Sequence, residues 1–276
     1  MNGSRVSNFS SADGTTIAYE CHGTGPALIR VDGALQRGAG TAASAEYAAL
    51  LGSSFTVVSY DRRGRGASTE TPASTVEREV EDLEALVEQV GGQAFVWGHS
   101  SGAALAMHTA VRLGGKIRKL VMYEPPYNDD PAARQSWRTY RAQLDLALRS
   151  GHAGDAVKLF MRKVGMPDDQ LTHLSQSPGW AHLEAVGATL GYDAAVMGED
   201  AAVPQALAAR VHCPTLILTG GDSAPFFAES ARNLAKTIPR GECRTLTGQA
   251  HNVSATVLAP VLTAFFLGDE PSSRVG

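Results

Sequence analysis

"FVWGHSSGAALA" occupies residues 95–106. It is an apolar run, then a serine held between glycines, then small residues in helical order. Two readings account for it. In the first, Gly98 and Gly102 serve packing, because small residues let a helix lie close to the strand that feeds it. In the second, a tight strand-to-helix turn lifts Ser100 above a sheet as a nucleophile, and Gly98-His99-Ser100-Ser101-Gly102 fits that Gly-x-Ser-x-Gly pattern. The strand before it and the helical "SGAALAMHTAVRL" (101–113) after it are the setting the pattern requires. A helix N-terminus behind Ser100 also favours developing negative charge. A serine nucleophile needs a base to take its proton and an acid to hold that base.

On either side of this stretch, short β-rich runs alternate with helical patterns. The strand-like runs are "TTIAYECHG" (15–23), "ALIRVDG" (27–33), "FTVVSYD" (55–61), "QAFVWG" (93–98), "IRKLVMYE" (117–124), "PTLILTG" (214–220) and "CRTLTG" (243–248). The clearest helix is 74–92, with Val76, Val80, Leu83, Leu86, Val87 and Val90 on one face, carboxylates on the other, and Gly91-Gly92 as its stop. This alternation predicts an α/β fold: a mostly parallel sheet covered by helices on both faces. Residues 127–204 break it, offering only helical patterns such as 133–151 and 154–165, and read as a helical insertion over the sheet. The apolar stretch 253–267, interrupted by Pro260, reads as a last helix packed on the core, and the tail 268–276 as frayed.

Bulk properties narrow the function. The chain has 276 residues, 43% hydrophobic and 19% charged, with a net charge of −4. That is an ordinary globular composition without the basic stripe that nucleic acid or an acidic membrane needs. The polar start "MNGSRVSNFSSADG" lacks the apolar core expected of a signal peptide, and 253–267 is too short to span a bilayer. Three scattered cysteines (Cys21, Cys213, Cys243) suit free, mostly buried thiols in a reducing cytoplasm. No histidines stand at paired metal-ligand spacing, so no metal is expected.

"YDRRGRGAST" (60–69) supplies a second signal, Asp61-x-Arg63-Gly64-x-Gly66-x-Ser68. Beside the serine motif, it resembles the α/β-hydrolase superfamily, from roughly residue 14 to 267. The resemblance implies an α/β-hydrolase core, residues 1–126 and 205–276, with a helical cap, 127–204, inserted after what the superfamily counts as its sixth strand. Asp61 and the arginines are expected to pair and hold a loop near the serine. His251, in "QAHNV" (249–253) after the last strand, stands where the superfamily carries its base, and the order serine first, histidine last agrees. His99 is expected to point away from the nucleophile as a packing residue.

An oxyanion hole needs two backbone N–H donors. The resemblance gives them as the amides of Ser101 and of Ala34, in "RVDGALQRG" (30–38). Here the chain departs from the superfamily, which often has His-Gly at this turn, whereas this chain has Asp32-Gly33. A carboxylate there opposes an oxyanion unless Asp32 points away or pairs with Arg30 or Arg37.

For the acid, the usual slot after "PTLILTG" holds Ser223, with Asp222 one residue early. The alternative is Glu124, at the end of "IRKLVMYE", where some haloalkane dehalogenases, which resemble the chain there, place a catalytic glutamate; Pro125-Pro126 would fix the backbone behind it. Glu124 is the preferred acid and Asp222 its rival. The aromatic supply (Tyr127, Trp137, Tyr140, Trp180, Tyr192, Phe226, Phe227) suggests a mostly apolar pocket, with Gly33, Trp137, Trp180 and Phe226 as lining. The expected activity is cofactor-free acyl transfer to water from a small ester, lactone or thioester, or cleavage of a carbon–carbon bond beside a ketone. A serine at the elbow argues against dehalogenase and epoxide-hydrolase chemistry. A perhydrolase, haloperoxidase-type, cyclase or lyase activity on the same serine is the nearer rival, and a non-catalytic small-ligand binder the more distant one. No nucleic-acid or membrane partner is expected.

Overall fold

The computed structural model describes residues 6–71 and 75–268, so the expected fraying beyond Gly268 lies outside the described residues. Eight strands form one sheet: β1 (Ser7–Ser10), β2 (Thr16–His22), β3 (Ala27–Val31), β4 (Thr56–Tyr60), β5 (Ala94–His99), β6 (Ile117–Tyr123), β7 (Thr215–Gly220) and β8 (Gly241–Leu246). Their order is β1-β2-β4-β3-β5-β6-β7-β8, antiparallel at β1-β2 and β2-β4 and parallel from β4 onward.

The central strands are buried on both faces, which is why they read as near-continuous Val, Ile and Leu. Alternation sorts their side chains. Ile29 and Val96 face one layer, with α2 (Val76–Gln89), α3 (Ser101–Leu113) and α10 (Pro225–Thr237). Leu28, Phe95 and Trp97 face the other, with α1 (Ala42–Leu51) and α11 (Ala255–Leu267). In that second layer Phe55, Phe95 and Phe266 pack ring against ring at 4.9 to 6.1 Å.

Two readings need correction. The helix α2 does not keep all its carboxylates outside: Glu79 and Asp82 lie on its buried face, where they accept from the buried guanidinium groups of Arg62 and Arg63. Among the described residues Asp61 pairs with no arginine. Its oxygens instead accept the backbone amides of Gly38, Ala39 and Ala67, so it closes two loops onto each other. Asp82 and Asp13 neutralise Arg63, while Glu79 and Asp193 neutralise Arg62.

Between β6 and β7 stand α4 (Pro131–Arg149), α5 (Ala153–Lys163), α6 (Asp168–Ser175), α7 (Trp180–Gly187), α8 (Leu190–Val196) and the single turn α9 (Gln205–Ala208). Asp130 caps α4 through the Ala133 amide, with Pro131 at its first position. Tyr140, Leu144, Ala156, Val157, Leu190 and Ala194 make a core of their own, against which Trp137 and Trp180 pack. Ala34 and Leu35, from the loop after β3, pack against the same cluster, so this insertion sits at the carboxyl end of the sheet. No helix among the described residues is long and apolar enough to cross a membrane.

Candidate active site

The packing reading of the opening stretch holds. A Cβ on Gly98 would lie 2.5 Å from Ala103 Cα, and one on Gly102 would lie 2.3 Å from the Val31 carbonyl oxygen, so α3 packs on β5 and β3 only because both are glycine. Ser100, between them, has φ 55° and ψ −129°, a conformation that L side chains rarely adopt. Its N–H donates to the Tyr123 carbonyl at 2.9 Å, so the turn continues the β5–β6 ladder.

Backbone strain marks the rest. Four non-glycine residues among those described have positive φ: Leu35 (60°), Ser100 (55°), Glu124 (47°) and Ala201 (52°). Three of the four belong to the loops that sequence reasoning singled out. Each such residue costs about 1–3 kcal/mol, and strain of this kind gathers where a side chain must be aimed.

Glu124 is fully buried, and Pro125-Pro126 follow it directly. Its Oε1 accepts the Gly220 amide at 2.7 Å, and its Oε2 accepts from His251 Nδ1 at 2.7 Å. Burial alone would raise its pKa. Hydrogen bonds from His251 and from the Gly220 amide outweigh that, and the carboxyl stays below its ordinary range. Ser223, the residue in the usual acid slot, lies close to Glu124. Asp222 is exposed, and among the described residues its carboxylate has no partner; only its amide bonds, to the Gln249 carbonyl.

His251 is held from three sides. Glu124 fixes Nδ1, the Phe227 ring stacks on the imidazole at 5.1 Å, and His99 Nε2 donates to the His251 carbonyl at 2.9 Å. His99 is thus more than packing, for it fixes the backbone of the residue bonded to Glu124. Sequence spacing gave no sign of this, because the two are 152 residues apart. The Ser100 hydroxyl and the His251 ring are not hydrogen-bonded to each other; bonds of this kind commonly tighten only with substrate bound.

Asp32 meets one of its two conditions by pairing with Arg30 at 2.5 Å. With Arg30, Tyr47 and Trp97 it lines a cleft of about 180 Å³ on the α1 side of the sheet. Burial holds its carboxyl above the ordinary range despite Arg30. Gly33 abuts Ser100: a Cβ there would lie 3.0 Å from Ser100 Cβ. Ser101 is the first residue of α3, so its amide has no partner within the helix. Trp137 donates to the Gly198 carbonyl, and Trp180 has the Lys158 ammonium over its ring. Phe226 packs at a tilt on Phe227, with ring centroids 4.1 Å apart, one ring removed from His251.

His99 also sets an acid limit on stability. Burial, then the nearby His251 charge, pull its pKa from 6.5 down to about 4. The unfolded chain therefore binds a proton that the folded chain refuses between pH 6.5 and 4, so stability is full above that window and falls as pH drops through it. Thermal melts should lose roughly 2 kcal/mol across it, less than the full shift because the ring is part-exposed. His99→Gln should flatten this slope, and an unchanged slope would show that other groups cause it.

The carboxyl end of the sheet thus gathers a strained serine, a histidine and a buried glutamate. The chain belongs to the Alpha/beta hydrolase family, whose model matches residues 21–261. It is 42% identical to an alpha/beta hydrolase from Sphaerobacter thermophilus DSM 20745, over 94% of this chain and all of that one, with a TM-score of 0.81. It is 31% identical over 154 residues to the Uncharacterized hydrolase YraK of Bacillus subtilis (strain 168), 54% of this chain and 55% of YraK, so it spans about half of that curated relative. A thermophilic esterase from Thermogutta terrifontis, at 20% identity and a TM-score of 0.70 over 95% of this chain and 98% of its own, shares the fold.

Proposed function

We propose that this hydrolase cleaves small carboxylic esters, or the equivalent lactones or thioesters, through an acyl-enzyme on Ser100. The observation that carries the reading is the 2.7 Å bond between buried Glu124 and His251 Nδ1. It holds the tautomer in which Nε2 is free to take a proton.

Ser100 Oγ attacks the substrate carbonyl carbon as His251 Nε2 takes its proton. The carbonyl oxygen becomes an oxyanion, held by the Ala34 and Ser101 amides. His251 returns the proton to the leaving alcohol or thiol as the tetrahedral centre collapses to the acyl-enzyme. Water then attacks that acyl group, again deprotonated by His251, and frees the acid and Ser100. Glu124 stabilises the imidazolium in both halves. Every group named belongs to the chain, so this chemistry asks for no cofactor.

The acyl group would meet apolar surface from Phe227 and from residues 127–204, read as a cap. Trp180→Ala is therefore expected to change relative rates across p-nitrophenyl esters from acetate to octanoate. A uniform loss on every ester would leave Trp180 a structural role alone. Rapid mixing with p-nitrophenyl acetate tests the acyl-enzyme, with an initial burst of nitrophenolate stoichiometric with protein expected. Folded protein that releases no nitrophenolate would favour a ligand-binding role.

A further inference from the structure

Ser101 carries a hydroxyl as well as an amide, and the hydroxyl is not idle. It donates to Asp193 Oδ1 at 2.8 Å, across 92 residues. Asp193 lies on α8 and is only 4% exposed. The same oxygen accepts from Arg62 Nη1 at 2.7 Å, and Oδ2 accepts from Arg65 Nη2 at 2.7 Å. Arg62 is anchored by both oxygens of Glu79, and Arg65 Nε donates to Thr189 Oγ1 at 3.0 Å. Two cations therefore face two anions, the balance a buried cluster needs.

The other hand of Arg65 reaches the loop after β3. Its Nη1 donates to the Gly33 carbonyl at 2.5 Å. That carbonyl and the Ala34 N–H belong to one planar trans peptide, so they point in opposite directions. Fixing the oxygen on Arg65 fixes the N–H on the far side of the plane. A cation on the carbonyl also polarises the unit and strengthens its N–H as a donor. Asp193 is thus the common node of both proposed oxyanion donors, holding Ser101 directly and Ala34 through Arg65.

Resting on the Ser100 reading above, we propose that Asp193 and Arg65 are positioning residues for the oxyanion hole, so that α8 of the insertion sets the geometry of the chemical step. Neither touches substrate. Their effect should fall on kcat and on binding of transition-state mimics, and little on KM.

Asp193→Asn leaves two facing guanidinium groups undercompensated and is a poor first probe. Arg65→Lys keeps the charge, but one ammonium cannot reproduce the planar fork that bridges Asp193 and the Gly33 carbonyl. It should lower kcat about a hundred-fold, the scale of a misplacement near 1 Å. Ser101→Ala keeps the amide and leaves Asp193 both arginines, and should lower kcat roughly ten-fold, the scale of one hydrogen bond to a charge. Each variant should weaken inhibition by a trifluoromethyl ketone, whose hemiketal oxyanion mimics the intermediate, by the same factor as its loss in kcat/KM. Stoichiometric fluorophosphonate labelling of Ser100 should still reach completion in both variants. Folded variants with wild-type kcat and unchanged ketone affinity would overturn the proposal while leaving the nucleophile in place. If Arg65→Lys does not fold, Ser101→Ala decides alone. Failure of the wild type to label at Ser100 would instead remove the reading on which the proposal rests.

Discussion

Ser100→Ala should lower ester turnover on the order of a million-fold, the loss seen when a triad serine is removed elsewhere. Its fold should survive. Alanine carries the same left-handed strain at φ 55° as serine, and the glycines that let α3 dock are untouched. Residual rate would come from the two amides and from binding, which act on water's attack without the nucleophile. A melting temperature equal to wild type, with activity within a few per cent of it, would place the nucleophile elsewhere.

Glu124→Gln should cost about ten-thousand-fold, the value for losing the orienting acid in a serine triad. The reason is a proton count. Glu124 Oε1 accepts the Gly220 amide and Oε2 accepts His251 Nδ1–H. In glutamine the carbonyl would keep Gly220, and the amide nitrogen, a donor, would face Nδ1. His251 would then carry its proton on Nε2 and could no longer accept one from Ser100. Asp222→Asn should cost less than about three-fold, within the range of exposed substitutions, because its carboxylate has no partner among the described residues. The comparison needs one ester, folded variants and kcat. A crippled Asp222→Asn beside an active Glu124→Gln would return the role to Asp222.

Much of this was legible because it is local. Buried parallel strands are apolar runs, so β2 to β7 fall within a residue or two of their expected limits. The strand β1 was not anticipated, since Ser7–Ser10 is a short, polar, largely exposed edge with no apolar alternation. The expected run 243–248 overlaps β8, Gly241–Leu246, shifted toward its C-terminus. Glu124 could be named because the usual acid slot holds a serine and a proline pair pins the strand end.

The charge cluster could not be read the same way. Arg62 and Asp193 are 131 residues apart, and no periodicity links them. One local sign existed: Asp193 interrupts the otherwise apolar helix "LGYDAAV" (190–196), where an unpaired carboxylate would be costly. Three arginines in "DRRGRG" posed the matching question, how a buried loop could hold them, and only the fold supplied Asp13, Glu79, Asp82 and Asp193 as the answer. The His99 bond is hidden for a related reason, because its partner is a backbone carbonyl and backbone leaves no trace in sequence.

The central claim is that Ser100 is the activated nucleophile of a Ser-His-Glu relay. The full chain should be treated with a fluorophosphonate, weighed intact and peptide-mapped. A single adduct is expected, on the peptide carrying Ser100, absent from Ser100→Ala and formed far more slowly in Glu124→Gln. An adduct on another residue, or equal labelling rates in wild type and Glu124→Gln, would contradict it.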